Sequence, residues 1–276
     1  MNDALLVLAD TRKEKVCQYL GKIRPWLESF VPIIYWYNKV EEIEEQKIEQ
    51  SRYLIVFGGD GVLLRVARHI QSKIPVLGIN FGKLGFLAEF TEQTFLEEFM
   101  QIWQGNCNIS PHIMLQCKIM HQNQCIYSNI ALNDITIKGV AISRIIYTSI
   151  YIEKEHICNY SGDGIIISSP VGSTAYSLSA GGPILTPDLS VLLITPICPH
   201  GLTLRPFVIS DKKHIQISLS HPTNGNHILT IDGQIDITLD SNDIVEISKA
   251  NEHFYLVEAR EKSFFHILKD KLFWGE

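Results

Sequence analysis

The 276-residue chain has no paired-cysteine spacing, no long apolar run and no excess of positive charge. Its six cysteines, Cys17, Cys107, Cys117, Cys125, Cys158 and Cys198, include no Cys-x-x-Cys pair and no histidine at zinc-finger distance. That spacing speaks against a zinc site and for reduced thiols in core or surface positions. No segment approaches the ~20 consecutive apolar residues of a membrane-spanning helix, and Met1-Asn2-Asp3 runs into a strand-like segment without a basic, apolar, cleavable leader. The expectation is a cytoplasmic protein with no membrane partner. Asp and Glu number 30 against 24 Lys and Arg, a formal net charge of −6, which speaks against the dense basic surface that nucleic-acid binding requires. Three motifs are absent as well: the G-x-x-x-x-G-K-[ST] phosphate loop, a G-x-G-x-x-G after a strand, and a G-x-S-x-G elbow. Standard P-loop and dehydrogenase plans are thereby set aside.

What is present reads as an ordinary globular protein, 46% hydrophobic and 20% charged, long enough for two domains. Over the first hundred residues short apolar runs alternate with amphipathic ones. Strands are expected at Ala4–Ala9, Ile33–Tyr37, Tyr53–Phe57 and Pro75–Ile79, with helices over Lys13–Phe30, Val40–Gln50, from Val62 onward, and over Thr94–Trp103 before Gly105. Such alternation implies a mainly parallel sheet that binds ligands beyond the carboxyl ends of its strands. After Gly105 the chain turns to Val-, Ile-, Thr- and Tyr-rich runs. Strands are expected at Met114–Met120, Ile126–Ile137, Ile145–Glu153, Gly164–Ser168, Val191–Thr195, Ile215–Leu219, His227–Leu239 and Asp243–Lys249, with one short helix near Thr174–Ala180. The fold class is therefore a Rossmann-like α/β domain over 1–104, followed by a β-rich, β-sandwich-like domain over 105–253. Pattern alone does not place Phe254–Trp274; a tail over 254–276 that packs back on the first domain is the expectation.

Two stretches carry chemistry. Gly58-Gly59-Asp60-Gly61 closes an apolar strand and opens an amphipathic helix, which turns backbone N–H groups toward an anion and leaves one carboxylate beside them. That carboxylate suits a proton acceptor or a magnesium ligand. The plainer reading is an Asp-Gly turn between strand and helix. Gly162-Asp163-Gly164 and Ser168-Ser169-Pro170-Val171-Gly172-Ser173-Thr174-Ala175-Tyr176-Ser177-Leu178-Ser179-Ala180-Gly181-Gly182-Pro183 form the second stretch. Its hydroxyls and helix-start N–H groups suit an adenine edge, a ribose or a phosphate; the plainer reading is a helix cap. Lys138 and Arg205 are basic residues that suit a pyrophosphate or, more plainly, a solvated strand edge.

The first tetrad resembles the phosphate-binding turn of NAD kinases, diacylglycerol and sphingosine kinases and 6-phosphofructokinases. The second stretch is similar to the signature of the NAD kinase family, with Asn133-Asp134, Thr195-Pro196-Ile197-Cys198-Pro199-His200, Arg205-Pro206 and Asp232-Gly233-Gln234 in matching order. The resemblance spans at least residues 58 to 234. Ser169 and Val171 stand where many members carry threonine, and Asp134 where the family often has glutamate.

The resemblance implies transfer of a phosphoryl group from ATP, or from inorganic polyphosphate, to the 2′-hydroxyl of the adenosine ribose of NAD. Gly58, Gly59 and Gly61 shape the phosphate turn and Asp60 is the general base. Asn133 and Asp134 hold ribose hydroxyls, while Asp163, Thr174, Ala175 and Tyr176 recognise adenine and its neighbourhood. Val171, Ser177, Leu178, Ser179 and Gln234 belong to the same binding set, and Arg144 and Ser161 align with ligand-facing positions. Phe86 sets a ring against the ligand or else fills a core. Magnesium arrives on the donor phosphates, with no protein ligand assigned. The active site is expected in a cleft between the domains of a homodimer or homotetramer. Two alternatives stay open, a lipid kinase of the diacylglycerol or sphingosine type and a dinucleotide sensor without turnover.

Overall fold

Residues 3–71, 73–81, 85–139, 145–219, 227–260 and 263–273 are described by the computed structural model. The chain divides into two compact units, one formed by 1–111 with 254–276 and the other by 112–253.

In the first unit, strands β1 (Ala4–Ala9), β2 (Ile33–Tyr37), β3 (Ser51–Phe57) and β4 (Val76–Ile79) run parallel in the order β2-β1-β3-β4. Helix α1 (Glu14–Phe30) buries Val16, Tyr19, Leu20, Ile23 and Leu27, a stripe at helical spacing. The acidic stretch 40–50 differs from the expected single helix. It forms a 3-10 turn (Val40–Glu42) and a short helix α2 (Glu45–Gln50), because Ile43 between them is extended and buried. Helix α3 (Asp60–Ile70) follows β3 directly, and α4 (Glu92–Trp103) starts at Thr91, whose hydroxyl accepts the Thr94 N–H. An aromatic-rich core of Tyr19, Phe57, Phe90, Phe95 and Phe99 lies under these helices.

The second unit is built of antiparallel strands. β5 (Ile109–His121) and β6 (Gln124–Ala131) turn at Gln122 and Asn123, both at positive φ, as two-residue hairpins favour. The expected single strand 126–137 is in fact two, β6 and β7 (Asp134–Gly139), and they belong to different sheets. The break at Leu132-Asn133 comes from the Asp232 carboxylate, which takes the local N–H groups out of any ladder. Strands β8 (Ile146–Ile152), β9 (Glu155–Gly162) and β10 (Gly164–Ser168) follow, then a 3-10 turn (Val171–Thr174) and the single-turn helix α5 (Tyr176–Ser179). The chain continues through β11 (Val191–Ile197), β12 (Phe207–Ser210) and β13 (Ile215–Leu219). The expected strand 227–239 is also two, β14 (His227–Ile231) and β15 (Ile235–Leu239), joined through Asp232 and Gly233 at positive φ. β16 (Asp243–Val257) is longer than its predicted core and leads back into the first unit.

One sheet has the order β12-β11-β10-β7-β14-β15; strands β16, β13, β8 and β9, with β5 and β6, belong to the other. A single apolar core joins them, with Ile135, Ile137, Ile165, Ile167, Leu229 and Ile231 from the first and Leu115, Ile146, Ile150, Ile217 and Val245 from the second. This is the sandwich arrangement of two sheets sharing one interior.

The tail returns to the first unit. Leu256 pairs in parallel with Val76 of β4, and helix α6 (Phe264–Leu272) buries Ile267 and Leu268. Among the described residues no helix is long and apolar enough to cross a membrane.

Candidate active site

The first unit sets a carboxylate at the carboxyl end of its sheet. Gly58 closes β3 by donating its N–H to Ile79 O at 2.9 Å, and a Cβ there would lie 2.7 Å from a Val62 methyl, so the turn needs glycine. Asp60 is the first residue of α3, yet its carboxylate points across to the segment after β4. Oδ2 accepts the Phe86 N–H at 2.8 Å, and Oδ1 those of Leu87 at 3.2 Å and Ala88 at 3.0 Å. A Cβ on Gly85 would sit 1.8 Å from Oδ1, so that close approach is open to glycine alone. Lys271 of α6 places its Nζ 4.0 Å from Oδ2 and 4.5 Å from the centre of the Phe86 ring. Phe86 also meets the Phe264 ring at a tilt, with centroids 6.2 Å apart. Asp60, surrounded by N–H donors and an ammonium, is poorly disposed as a magnesium ligand.

The second unit offers a hollow of about 290 Å³ lined by Asn133, Asp134, Thr136, Lys138, Ala175, Tyr176, Thr230, Asp232 and Gly233. It exists because the β7-bearing sheet has two unlike faces. Ile135 and Ile137 alternate with Asp134, Thr136 and Lys138 along β7, which sends the isoleucines into the core and the polar residues out. Thr230 pairs with Thr136 across the ladder and donates its hydroxyl to Asp236 at 2.9 Å.

Three contacts clamp the rim at 132–134. Asp232 accepts N–H groups from Leu132 at 3.2 Å, Asn133 at 2.7 Å and Asp134 at 3.2 Å. Ser169 donates its hydroxyl to Leu132 O and its N–H to Asn133 O. Gly172 lies so near Asn133 O that a Cβ would approach to 2.0 Å. Burial, and then the Asp232 charge, push the Asp134 carboxyl up to about 7, while the Thr136 hydroxyl at 3.3 Å opposes them.

Of the residues singled out in the sequence, Asn133, Asp134, Ala175 and Tyr176 meet at this hollow, and Gly58, Gly59, Asp60, Gly61 and Phe86 belong to the first unit's turn. Lys138, and Asp232 and Gly233 of the Asp232-Gly233-Gln234 motif, line the hollow too, and the remaining ones do not. Ser177 is fully buried, with its hydroxyl 2.7 Å from that of Thr195, and Thr174 donates to Val171 O. Val171 is buried, so the methyl that replaces the family's hydroxyl is at home there. Leu178 is half-buried and Ser179 exposed; Ser161 accepts the His200 N–H on its carbonyl, and Asp163 donates its N–H to Ile197 O. Gln234 is exposed in the β14–β15 turn, and Arg205 donates to carbonyls of its own loop. Arg144 lies outside the described residues.

Sequence reasoning left Thr136, Thr230, Asp232 and Lys271 unassigned. The alternation Asp134-x-Thr136-x-Lys138 was the available signal for the first; nothing local signals Lys271. Among the described residues, His121, Asp240 and Asp243 form the one cluster with metal-ligand types, but His121 Nδ1 already meets Asp243 Oδ1 at 2.8 Å and Asp243 Oδ2 accepts the Asp240 N–H.

A glycine turn beside a fixed carboxylate in an α/β unit and, in the same chain, a β unit with a polar hollow are features that a nucleotide-handling protein needs, and comparisons with known proteins place the chain among kinases. The ATP-NAD kinase N-terminal domain model matches residues 8–107, and the ATP-NAD kinase C-terminal domain model residues 132–259. The NAD kinase of Lachnoclostridium phytofermentans is 43% identical over 223 residues, 79% of this chain and 78% of that protein. The NAD kinase of Koribacter versatilis is 35% identical over 281 residues, 98% of each. In fold, the chain is similar to yeast NADH kinase complexed with NADH, with a TM-score of 0.88 at 23% identity over 99% of this chain and 88% of that one. An NAD kinase from Archaeoglobus fulgidus in complex with ATP gives 0.76 at 21%, over 97% and 98%. The chain belongs to the NAD kinase family, and the matches across both units leave the lipid-kinase alternative without support.

Proposed function

We propose that this enzyme moves the γ-phosphoryl group of ATP to the 2′-hydroxyl of the adenosine ribose of NAD. The observation that carries this reading is full-length similarity to NAD kinases in both units at once. A ribose hydroxyl is a weak nucleophile at neutral pH. Asp60 takes its proton as the sugar oxygen bonds to the γ-phosphorus and the bond from that phosphorus to the β,γ-bridging oxygen breaks, leaving ADP and NADP. Proton removal of this kind is worth typically ~10²–10⁴-fold in rate. The anchoring of Asp60 by three N–H groups supports the role, since a base that is held in place loses little in orientation when substrate arrives.

Asn133 and Asp134 hold the ribose hydroxyls, and Ala175 and Tyr176 the adenine side, with Asp163 and Thr174 completing that set. Supporting this is the hollow shared by the first four. Magnesium neutralises the donor phosphates, as phosphoryl transfer by positioning and charge requires, and rides on the donor rather than on protein ligands. The working form is a cytoplasmic homo-oligomer, a dimer or tetramer, and inorganic polyphosphate is an alternative donor.

The test is incubation of the purified protein with NAD, magnesium and either ATP or polyphosphate, with NADP read by an NADP-specific dehydrogenase. NADP formation is expected with ATP. Binding of NAD without any NADP from either donor would reduce the protein to a dinucleotide sensor and end this reading.

A further inference from the structure

The carboxylate of Asp60 has about four acceptor directions, two on each oxygen. Leu87 and Ala88 fill both on Oδ1, and Phe86 fills one on Oδ2. Among the described residues no other N–H group fills the second direction on Oδ2, and the Lys271 ammonium stands 4.0 Å from that oxygen, beyond hydrogen-bond distance. Its position comes from a built element. Ser263 caps α6 by accepting the His266 N–H, Ile267 and Leu268 are buried, and Phe264 lies against Phe86. Upstream, Ala259 donates its N–H to Glu89 and Arg260 to Glu98. The aromatic face of Phe86 gives the ammonium a second attraction, 4.5 Å from the ring centre.

We propose that Lys271 is a positioning residue for phosphoryl transfer. Its ammonium stands over Oδ2 of Asp60 until the anionic phosphate chain of the donor draws it across, which leaves Oδ2 to the sugar hydroxyl and neutralises charge on the transferred group. A long basic side chain suits this exchange, because its flexible stem lets the charge move between the carboxylate and the phosphates. With Lys271 on the donor side, the first unit supplies both the base and one cation for the phosphates. The inference rests on the reading of Asp60 as the base.

Three variants of the full-length enzyme separate the two ideas: Lys271→Met, Lys271→Arg and Asp60→Asn, each assayed with ATP and NAD varied in turn. Lys271→Met keeps the stem against Phe86 and removes the charge. The expected result is a fall of ~10-fold or more in kcat/KM for ATP, a KM for NAD within about twofold of the parent, and recovery of most of the loss in Lys271→Arg. A kcat/KM for ATP equal to the parent overturns the proposal, as does a loss that appears in the NAD KM or that arginine does not restore. Lys271→Gln serves as the neutral variant if the methionine form fails to fold. Asp60→Asn reports separately: full activity there removes the base and this inference with it, whereas an inactive Asp60→Asn beside a normal Lys271→Met removes only the role of Lys271.

Discussion

Asp232 reaches back 99 positions along the chain to accept the Asn133 N–H at 2.7 Å, with the Leu132 and Asp134 N–H groups on the same carboxylate. One side chain thus ends β6, starts β7 and shapes the rim of the polar hollow. Asp232→Ala leaves three N–H groups in a buried setting without their acceptor. A stability loss of about 3 kcal/mol is expected in denaturant unfolding, since hydrogen bonds to charged groups are worth ~1.5–3 kcal/mol each and relaxation recovers part. NAD affinity falls in the same variant by calorimetry; a variant as stable as the parent would show that the clamp contributes nothing.

Gly85→Ala tests the placement of Asp60, the proposed base, without altering that carboxylate itself. Its Cβ would intrude to 1.8 Å from Asp60 Oδ1, so either the carboxylate or the 85–88 segment must shift. A misplacement of about 1 Å typically costs ~10²-fold in turnover, and a kcat loss of that order is expected with NAD binding retained. Turnover at the parental level would mean that the geometry of Asp60 is irrelevant to the rate.

Asp134 makes stability depend on pH in a definite direction. Its folded carboxyl titrates at about 7 against an ordinary 3.8, so between those values the folded chain binds more protons than the unfolded one. Its contribution is therefore complete below pH 3.8 and is lost as pH rises to about 7. Subtracting the unfolding free energies of Asp134→Asn from those of the parent, across pH 4 to 8, isolates this group. The difference should run downward with pH; a flat difference would place Asp134 in an ordinary environment.

Tyr176 is 45% exposed at the hollow, unlike the fully buried Ser177 beside it. Tyr176→Ala should leave thermal unfolding nearly unchanged and weaken NAD binding roughly 5–10-fold, the scale of one aromatic contact of ~1 kcal/mol. Unaltered NAD affinity by calorimetry would put the ring outside the binding surface.

Much of this was legible in the sequence because its signals are local. Short apolar runs marked β1 to β4, with Gly58 closing the third, and the alternation along Ile215–Leu219 marked β13 with its bounds intact. The errors fell where a distant side chain overrides local preference. Residues 126–137 read as one strand because Ile126, Tyr127, Ile130, Ile135, Thr136 and Ile137 favour extended backbone, and contacts from the distant Asp232 divide them. Packing is equally invisible locally: a Ser/Thr-rich stretch looks alike in sequence whether its hydroxyls face outward or, like that of Ser177, a neighbouring Thr195.

By itself, then, the sequence determined the two-part plan, the turn that carries Asp60, and the kinship of the signature stretch, since periodicity and glycine placement act over a few residues at a time. The tertiary structure alone decided which hydroxyls are spent internally, that Asp134 lies in the field of Asp232, and that Lys271, 211 positions after Asp60, returns to face it. Burial and charge act through space, and sequence separation carries no information about either.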